Sequence, residues 1–325
     1  MRSWTKRRSL QAIGALGLAA IGAAGAQEPW PSRRITMVVG YPPGGGSDTM
    51  ARLVAAKMSV LLGQPIVIDN RPGAAGQIAG AYVAKSPADG YTLLIDASSY
   101  AINLGMGLKG TFNEQSFVTV GLLAMFPLIV VTHPAFPAKN MAEVIALAKA
   151  KPGAVLYASA GSGTVQHIFG EMLMQAANIQ LTHVPYKGAA PAMTDVMGGQ
   201  VQLFFANAGA ALPLVQSGKL RALAVTGSGR LAQLPDLPML AETPVGKMDL
   251  REWIGMFAPA GTPAPVLERL SEALRRSLDY DDVKARVASI SGEPFTASRL
   301  DATKFVDGQV ASMAKIIRER GIKAE

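Results

Sequence analysis

The sequence predicts an α/β protein of two similar lobes, each a parallel-rich sheet with helices on both faces. Three observations carry this expectation. Short β-branched runs alternate with segments of helical period, the pattern of parallel sheets with right-handed crossovers. The alternation starts twice, near Ile35 and again near Val155. The chain's 325 residues exceed the roughly 250 to 300 that one hydrophobic core usually organises.

The first element is a leader. Arg2, Lys6, Arg7 and Arg8 form a basic head, Leu10 to Ala23 an apolar stretch, and Ala24-Gly25-Ala26 a small-residue cleavage site, the signature of an export signal over residues 1–26. The stretch is diluted with glycine and alanine and too short for a spanning anchor. Arg7-Arg8-Ser9-Leu10 matches a twin-arginine signal loosely, so both the general and the twin-arginine routes stay open. The expected destination is the periplasm, with a soluble mature chain.

After the leader, "RITMVVGY" reads as a strand, "PPGGGSD" as a bare loop, and Met50, Leu53, Val54, Met58, Leu61 and Leu62 as one helix face. The unit repeats as strand "PIVIDN", turn "RPGAAG", helix "GQIAGAYVAKS" and strand "YTLLIDA". The second series runs from strand "VLYAS" through loop "AGSGT" to a helix over Val165–Ala177. Strand "LTHVPY", helix Ala189–Met197, strand "VQLFFA", helix Ala211–Ser217 and strand "LRALAVT" follow.

Two apolar stretches join the series. "FVTVGLLAMFPLIVVTHP" is too long for one ordinary strand, and "EWIGMFAPAGTP" ends at prolines. Both read as interlobe crossings, near 117–133 and 251–260. From Pro265 onward, Leu267, Leu270, Leu274 and Leu278 share one helix face, and Val306, Val310, Met313, Ile316 and Ile317 another. These helices are expected to return to the first lobe. The predicted division is 27–125 with 255–325 for lobe one and 126–254 for lobe two.

In such sheets ligands sit beyond the carboxyl ends of the strands. Both glycine loops fall there. Gly44, Gly45 and Gly46 leave backbone amides bare, with Ser47 or Asp48 expected to cap the next helix; Ala160, Gly161, Ser162, Gly163 and Thr164 repeat the arrangement. A helix start offers unpaired N–H donors and partial positive charge, which suits a carboxylate or phosphate. Asp48 accepts only, so its expected task is to cap the helix or orient loop amides, the alternatives being direct ligand contact or capture of an amine.

Composition excludes several classes. With the four leader cations set aside, 27 of the 31 basic residues face 23 acidic ones, a balance too mild for nucleic acid. There is no cysteine, hence no disulfide and no lipid-attachment thiol. No phosphate-loop or dinucleotide motif follows the first strand. His133, His167 and His183 stand singly without carboxylates at metal-ligand spacing, so neither metal nor cofactor is expected. Ser162 and His167 raise a hydrolase alternative, but no Gly-x-Ser-x-Gly elbow is present.

The ordered set "YPPGGGSD" (Tyr41–Asp48), "NRPGAAG" (Asn70–Gly76), "PADGYTLL" (Pro87–Leu94), "LTHVPYKGAAPAMTDVMGGQV" (Leu181–Val201), "GKLRALAVT" (Gly218–Thr226) and "FAPAGTP" (Phe257–Pro263) resembles the Bug-type extracytoplasmic solute receptors of tripartite tricarboxylate transporters. The similarity spans Trp30 to Glu325. It implies a type II, Venus-flytrap periplasmic binding protein, non-catalytic and monomeric. Such a receptor closes on a small di- or tricarboxylate or aromatic carboxylate and hands it to membrane permease subunits. It further implies that ligand carboxylates are held by backbone amides and waters at Tyr41, Pro43 and Gly44–Asp48 and at Ala160–Thr164, with Ser98 as a further pocket residue. A ligand-sensing subunit of a signalling partner is the alternative.

The chain departs from the family pattern in three places. Tyr41 replaces the usual phenylalanine and adds a hydroxyl. Ala206, in "FFANAGAAL", replaces a common aspartate, which favours a plain carboxylate over an amino-acid ligand and makes Asn207 a candidate donor. The segment "NLGMGLKGTFNEQSF" lacks the usual aromatic and acidic pattern at the cleft edge.

Overall fold

The computed structural model describes residues 30–107, 112–227, 229–246, 248 and 250–322. The expected export signal lies outside the described residues, as does part of the "NLGMGLKGTFNEQSF" segment.

The first series folds as β1 (Ile35–Val39), α1 (Gly46–Leu62), β2 (Ile66–Asn70), α2 (Gln77–Ala84), β3 (Thr92–Ala97) and α3 (Ser99–Gly105). Strands β2, β1 and β3 pair in parallel, with Val38 opposite Asp69 on one side and Leu94 on the other. The glycine loop therefore leaves the carboxyl edge of the central strand of the three.

Next comes β4 (Phe117–Thr132), where the stretch read as too long for one ordinary strand forms a single strand of 16 residues. It stays continuous because it changes partner along its length and its register slips locally. Residues 117–127 pair antiparallel with β9 (Arg251–Pro259), with shifts between Thr119 and Gly121 and between Leu122 and Ala124. Such irregularities bend and twist a strand that would otherwise be too long to stay flat. At Gly121 the missing side chain lets α8 (Ala264–Leu278) approach, since a Cβ there would come within 2.9 Å of Leu274. From Leu128 onward β4 belongs to a second sheet. There it pairs with β7 (Leu203–Asn207) and β8 (Arg221–Val225). Thr226 fastens the changeover: its Oγ1 accepts from the Leu128 amide at 2.8 Å and its amide donates to Leu128 O at 2.9 Å.

The second series supplies the rest of that sheet: α4 (Met141–Ala150), β5 (Leu156–Ser159), α5 (Val165–Ala177), β6 (Thr182–Pro185), α6 (Ala189–Met197) and α7 (Ala208–Gln216). β6, β5 and β7 are parallel. Across the molecule the strand order is β2-β1-β3-β9-β4-β7-β5-β6.

Two details correct the sequence reading. Helix α7 starts at Ala208, three residues early, with Asn207 as its N-cap. Gly209, a helix breaker by propensity, is tolerated there because its backbone lies against Ile290 O, where a Cβ would come within 2.4 Å. Helices α3 and α4 were not anticipated. For α4 the signal exists in Asn140 and Glu143, since Asn140 Oδ1 accepts the Glu143 amide at 2.9 Å and the Glu143 carboxylate accepts from Asn140 Nδ2 at 2.7 Å, an N-cap with a reciprocal side-chain contact.

The C-terminal helices return to the first sheet. Leu267, Leu270, Leu274 and Leu278 of α8 share a core with Met50, Val54 and Met58 of α1, and α9 (Asp281–Ser289) adds Val283 and Val287. Burying each such side chain is worth about 1.5–3 kcal/mol. A two-residue strand, β10 (Glu293–Pro294), pairs with β4 before α10 (Arg299–Arg320). The apolar face of α10 packs on α3 and β4 and also reaches α5, so this helix touches both sheets' helical layers. Among the described residues no helix is long and apolar enough to cross a membrane.

Candidate functional site

The first glycine loop is fastened from within. The Gly45 amide donates to Pro42 O at 3.4 Å, and Gly44 takes a left-handed φ of +81° that glycine alone adopts without strain. Its amide donates to Asp48 Oδ2 at 2.9 Å. The same oxygen accepts Arg52 Nε at 2.9 Å, and Asp48 Oδ1 accepts Asn70 Nδ2 at 2.9 Å. Asn70 Nδ2 also donates to Tyr41 O. Burial pushes the Asp48 carboxyl up, but the bonds from Arg52, Gly44 and Asn70 outweigh it and bring it down to about 2.

This arrangement corrects the expected cap. Helix α1 begins at Gly46 with Gly45 as N-cap and no side-chain cap bond, so Ser47 and Asp48 are its second and third residues. The first helical bond runs from Thr49 N to Gly45 O. The amides of Gly46, Ser47 and Asp48 consequently have no acceptor within the helix, and the space where a Gly46 Cβ would stand is open.

The second loop is fastened by different chemistry to the same end. Ser159 Oγ accepts the Gly161 amide at 3.1 Å, and Thr164 Oγ1 donates to Gly161 O at 2.7 Å. The Gly163 amide donates to His167 Nδ1 at 3.2 Å. The His167 ring stacks on His183 at 4.1 Å and 3°, and His183 stacks on Tyr157 at 4.9 Å while its Nε2 meets Ser159 Oγ at 2.7 Å. His167 and His183 thus form the backing of the loop. Thr164 is the N-cap of α5 by position, and the first helical bond, Ile168 N to Thr164 O, leaves the amides of Val165, Gln166 and His167 without helical acceptors. The two halves meet here, because a Cβ on Gly163 would lie 2.7 Å from Cε of Met106, just past α3.

Ser98 is the buried N-cap of α3 with no side-chain cap bond. Next to it Ser99 Oγ contacts the Tyr41 hydroxyl, which also donates to Asp96 Oδ1 at 3.0 Å. Asp96 is fully enclosed. Its Oδ1 also accepts the Ala97 amide, while Oδ2 has no hydrogen-bond partner among the described residues and lies beside Gly76. Burial pushes this carboxyl up to about 7, against the opposing effect of its two bonds.

On the second sheet, Ala206 is fully enclosed in the core with Ile129 and Phe204 and offers no surface to a ligand. Asn207 is the residue that emerges. Its Oδ1 accepts the Gly209 amide at 3.0 Å and its Nδ2 donates to Glu252 Oε2 at 2.9 Å. Glu252, on β9, is half-buried and raised by that burial, with the Asn207 bond opposing, and its charge is felt at the Tyr41 hydroxyl. Sequence reasoning missed Asp96 and Glu252, each a lone acid in an apolar strand, "LLIDA" and "EWIGMFAP". Among the described residues no cluster of metal-ligating side chains occurs.

Two hollows lie elsewhere. One of about 720 Å³ runs along β8 and the 233–238 segment, and one of about 300 Å³ lies between α3, β4 and α10.

Solved structures share this architecture. The periplasmic binding protein BugD is 31% identical, with a TM-score of 0.80 over 91% of this chain and 100% of its own. A Rhodopseudomonas palustris protein, Rpa4515 with adipate, is 34% identical, with a TM-score of 0.82 over 90% and 99%. The fold is that of the periplasmic binding proteins, and the chain is a solute-binding receptor of that class. The protein BugT of Bordetella pertussis is 33% identical over 97% of this chain and 98% of its own length. The family described as tripartite tricarboxylate transporter family receptor matches residues 50–322, and the chain belongs to it. This is a family of periplasmic solute-binding receptors rather than of enzymes.

Proposed function

We propose that this receptor captures a small organic acid in the cleft between its two sheets and delivers it to the membrane permease subunits of a tripartite transporter. The observation that carries the reading is the pair of helix starts, α1 and α5. Each follows an internally fastened glycine loop at the carboxyl end of a parallel strand, and each has three amides without helical acceptors. A carboxylate against such amides gains charge-assisted hydrogen bonds and the favourable end of the helix dipole. The adipate carried by the Rhodopseudomonas palustris relative supports a dicarboxylate as the kind of ligand.

In this reading the leader over 1–26 exports the chain to the periplasm. Residues 27–125 with 255–325 form one lobe and 126–254 the other, and the protein works as a monomer. Strands β4 and β9 supply the hinge. Tighter binding of the closed than of the open form drives closure, and the closed form is what the permease recognises.

Isothermal calorimetry with di- and tricarboxylates and aromatic acids tests the proposal, with simple amines and neutral sugars as contrasts. Saturable binding of an organic acid is the expected result. Binding of amines or sugars with no response to any acid contradicts it.

A further inference from the structure

His167 is tied to the second glycine loop through the one atom that an added proton would occupy. Its Nδ1 accepts the Gly163 amide at 3.2 Å, so the neutral ring carries its hydrogen on Nε2. Nε2 faces the Glu171 carboxylate, one turn along α5, at 3.9 Å. A second proton can therefore enter only at Nδ1, where it sets an N–H against the Gly163 N–H. Two donors cannot share that bond, and the loop must turn its amide away.

The consequence reaches the binding amides. Gly163 has a φ of +76° and immediately precedes Thr164, the N-cap of α5. The amides of Val165, Gln166 and His167 lie in the turn that follows. Moving the Gly163 amide moves the start of the helix that presents them.

The packing directs the proton to His167 rather than to its neighbour. His183, on β6, stacks on His167 at 4.1 Å and 3°. At that separation two imidazolium charges repel, so the pair takes one proton before two. Glu171 attracts that proton to His167, and the Tyr157 hydroxyl on β5 holds the carboxylate by donating to Oε1 at 3.4 Å. The remaining neighbours of α5 are apolar: β7 brings Phe205 against Phe169, and α10 adds Met313 and Ile317 to the same core. With the His167 side chain 12% exposed, water is poorly placed to replace the lost loop bond. A charged His167 would also attract an anion, but Glu171 offsets that charge, whereas the donor conflict acts on the loop itself.

We propose that His167 is a positioning residue for the second carboxylate site, and that a proton taken up at its Nδ1 unfastens the loop and lowers affinity for the acid. The inference rests on the carboxylate-receptor reading above and adds its regulation: capture at neutral pH, and release as the surroundings acidify through the ordinary imidazole range, about 6.5.

The test is calorimetry with adipate, citrate and benzoate on the mature protein from pH 8 to pH 5. His167→Asn is measured beside it, since its side-chain oxygen can accept the Gly163 amide but takes no proton. Asp96 and the probes' own carboxyls titrate in both proteins, so the ratio of the two affinities isolates His167. At pH 8 the variant is expected within about threefold of the wild type. By pH 5 the best-bound probe should lose about tenfold or more on the wild type relative to the variant. NMR of the imidazole nitrogens adds a readout on the wild type alone, which stands whether or not the variant folds. His167 is expected in the Nε2–H form at pH 8, and saturation with that probe should shift its protonation to lower pH, as reciprocal linkage requires. An Nδ1–H ring at pH 8, parallel pH profiles in the two proteins, or a ring that protonates more readily with the probe bound would overturn the proposal and leave the receptor reading intact. No binding of any acid at any pH would overturn both.

Discussion

Asp48 holds the Gly44 amide at 2.9 Å while binding Arg52 and Asn70 with the same carboxylate. One buried acid therefore fixes the loop, the first turn of α1 and the end of β2 together. Replacing it with alanine removes all three bonds. Asp48→Ala is expected to lower unfolding stability by about 2–4 kcal/mol, the range for breaking a buried hydrogen-bonded charge, and to weaken acid binding more than tenfold. Urea unfolding and calorimetry read the two effects.

The same group sets an acid limit. Its folded pKa of about 2 lies below its ordinary value of 3.8, so the unfolded chain binds the proton more readily and the native state is favoured wherever Asp48 is ionised. That contribution, about 2 kcal/mol, is complete above pH 4 to 5 and declines as pH falls toward 2. Asp48→Ala should be less sensitive to acid over this window in urea midpoints measured at each pH.

Asp96 runs the other way. Its folded pKa of about 7 lies above 3.8, so between those values the native state holds the proton more tightly than the unfolded chain. Stability from this group is present below pH 4, declines as pH rises toward 7, and stays lower above it, by on the order of 4 kcal/mol. Asp96→Asn keeps an acceptor for Ala97 and Tyr41 without the charge. Urea unfolding at pH 8 should find it more stable than the wild type, with the gap closing at pH 4.

Gly163→Ala tests the contact between the halves. Its φ of +76° costs an L-residue about 1–2 kcal/mol, and the new methyl meets Met106 Cε at 2.7 Å. Affinity for an organic acid is expected to fall about tenfold or more. Adding Met106→Ala should recover part of the loss, because it relieves the contact but not the backbone strain. A double variant no better than the single one would show that this contact does not bear on closure.

The strand-loop-helix units at β1 and β5 were legible because each short apolar strand runs into a glycine-rich loop and then a segment of helical period, β1 with the added signal of its β-branched residues. The leucines of α8 were legible for the same reason, since their spacing is helical and their face continuous. Strand β4 was read as a crossing too long for one ordinary strand; that it runs unbroken over 16 residues was not legible, because its length is tolerated through a change of partner at Leu128, which no local pattern records. The inward role of Asp48 was partly accessible, because its bonds to Gly44 and Arg52 are close in sequence, whereas its bond to Asn70 and the stacking of His167 on His183 join distant residues and were not. Asp96 and Glu252 were not, because what matters about each is what lies opposite it: Gly76 and Tyr41 for one, Asn207 for the other. Ala206 was placed at a pocket by position along the motif, and strand alternation turned it into the core.

A crystal structure of the mature protein with a bound dicarboxylate tests the central claim most directly. The account predicts a ligand carboxylate within about 3 Å, hydrogen-bond distance, of amides or amide-bound waters at Gly46–Asp48 on one side and Val165–His167 on the other. A ligand held instead by lysine or arginine side chains, or seated in the hollow between α3, β4 and α10, would contradict it.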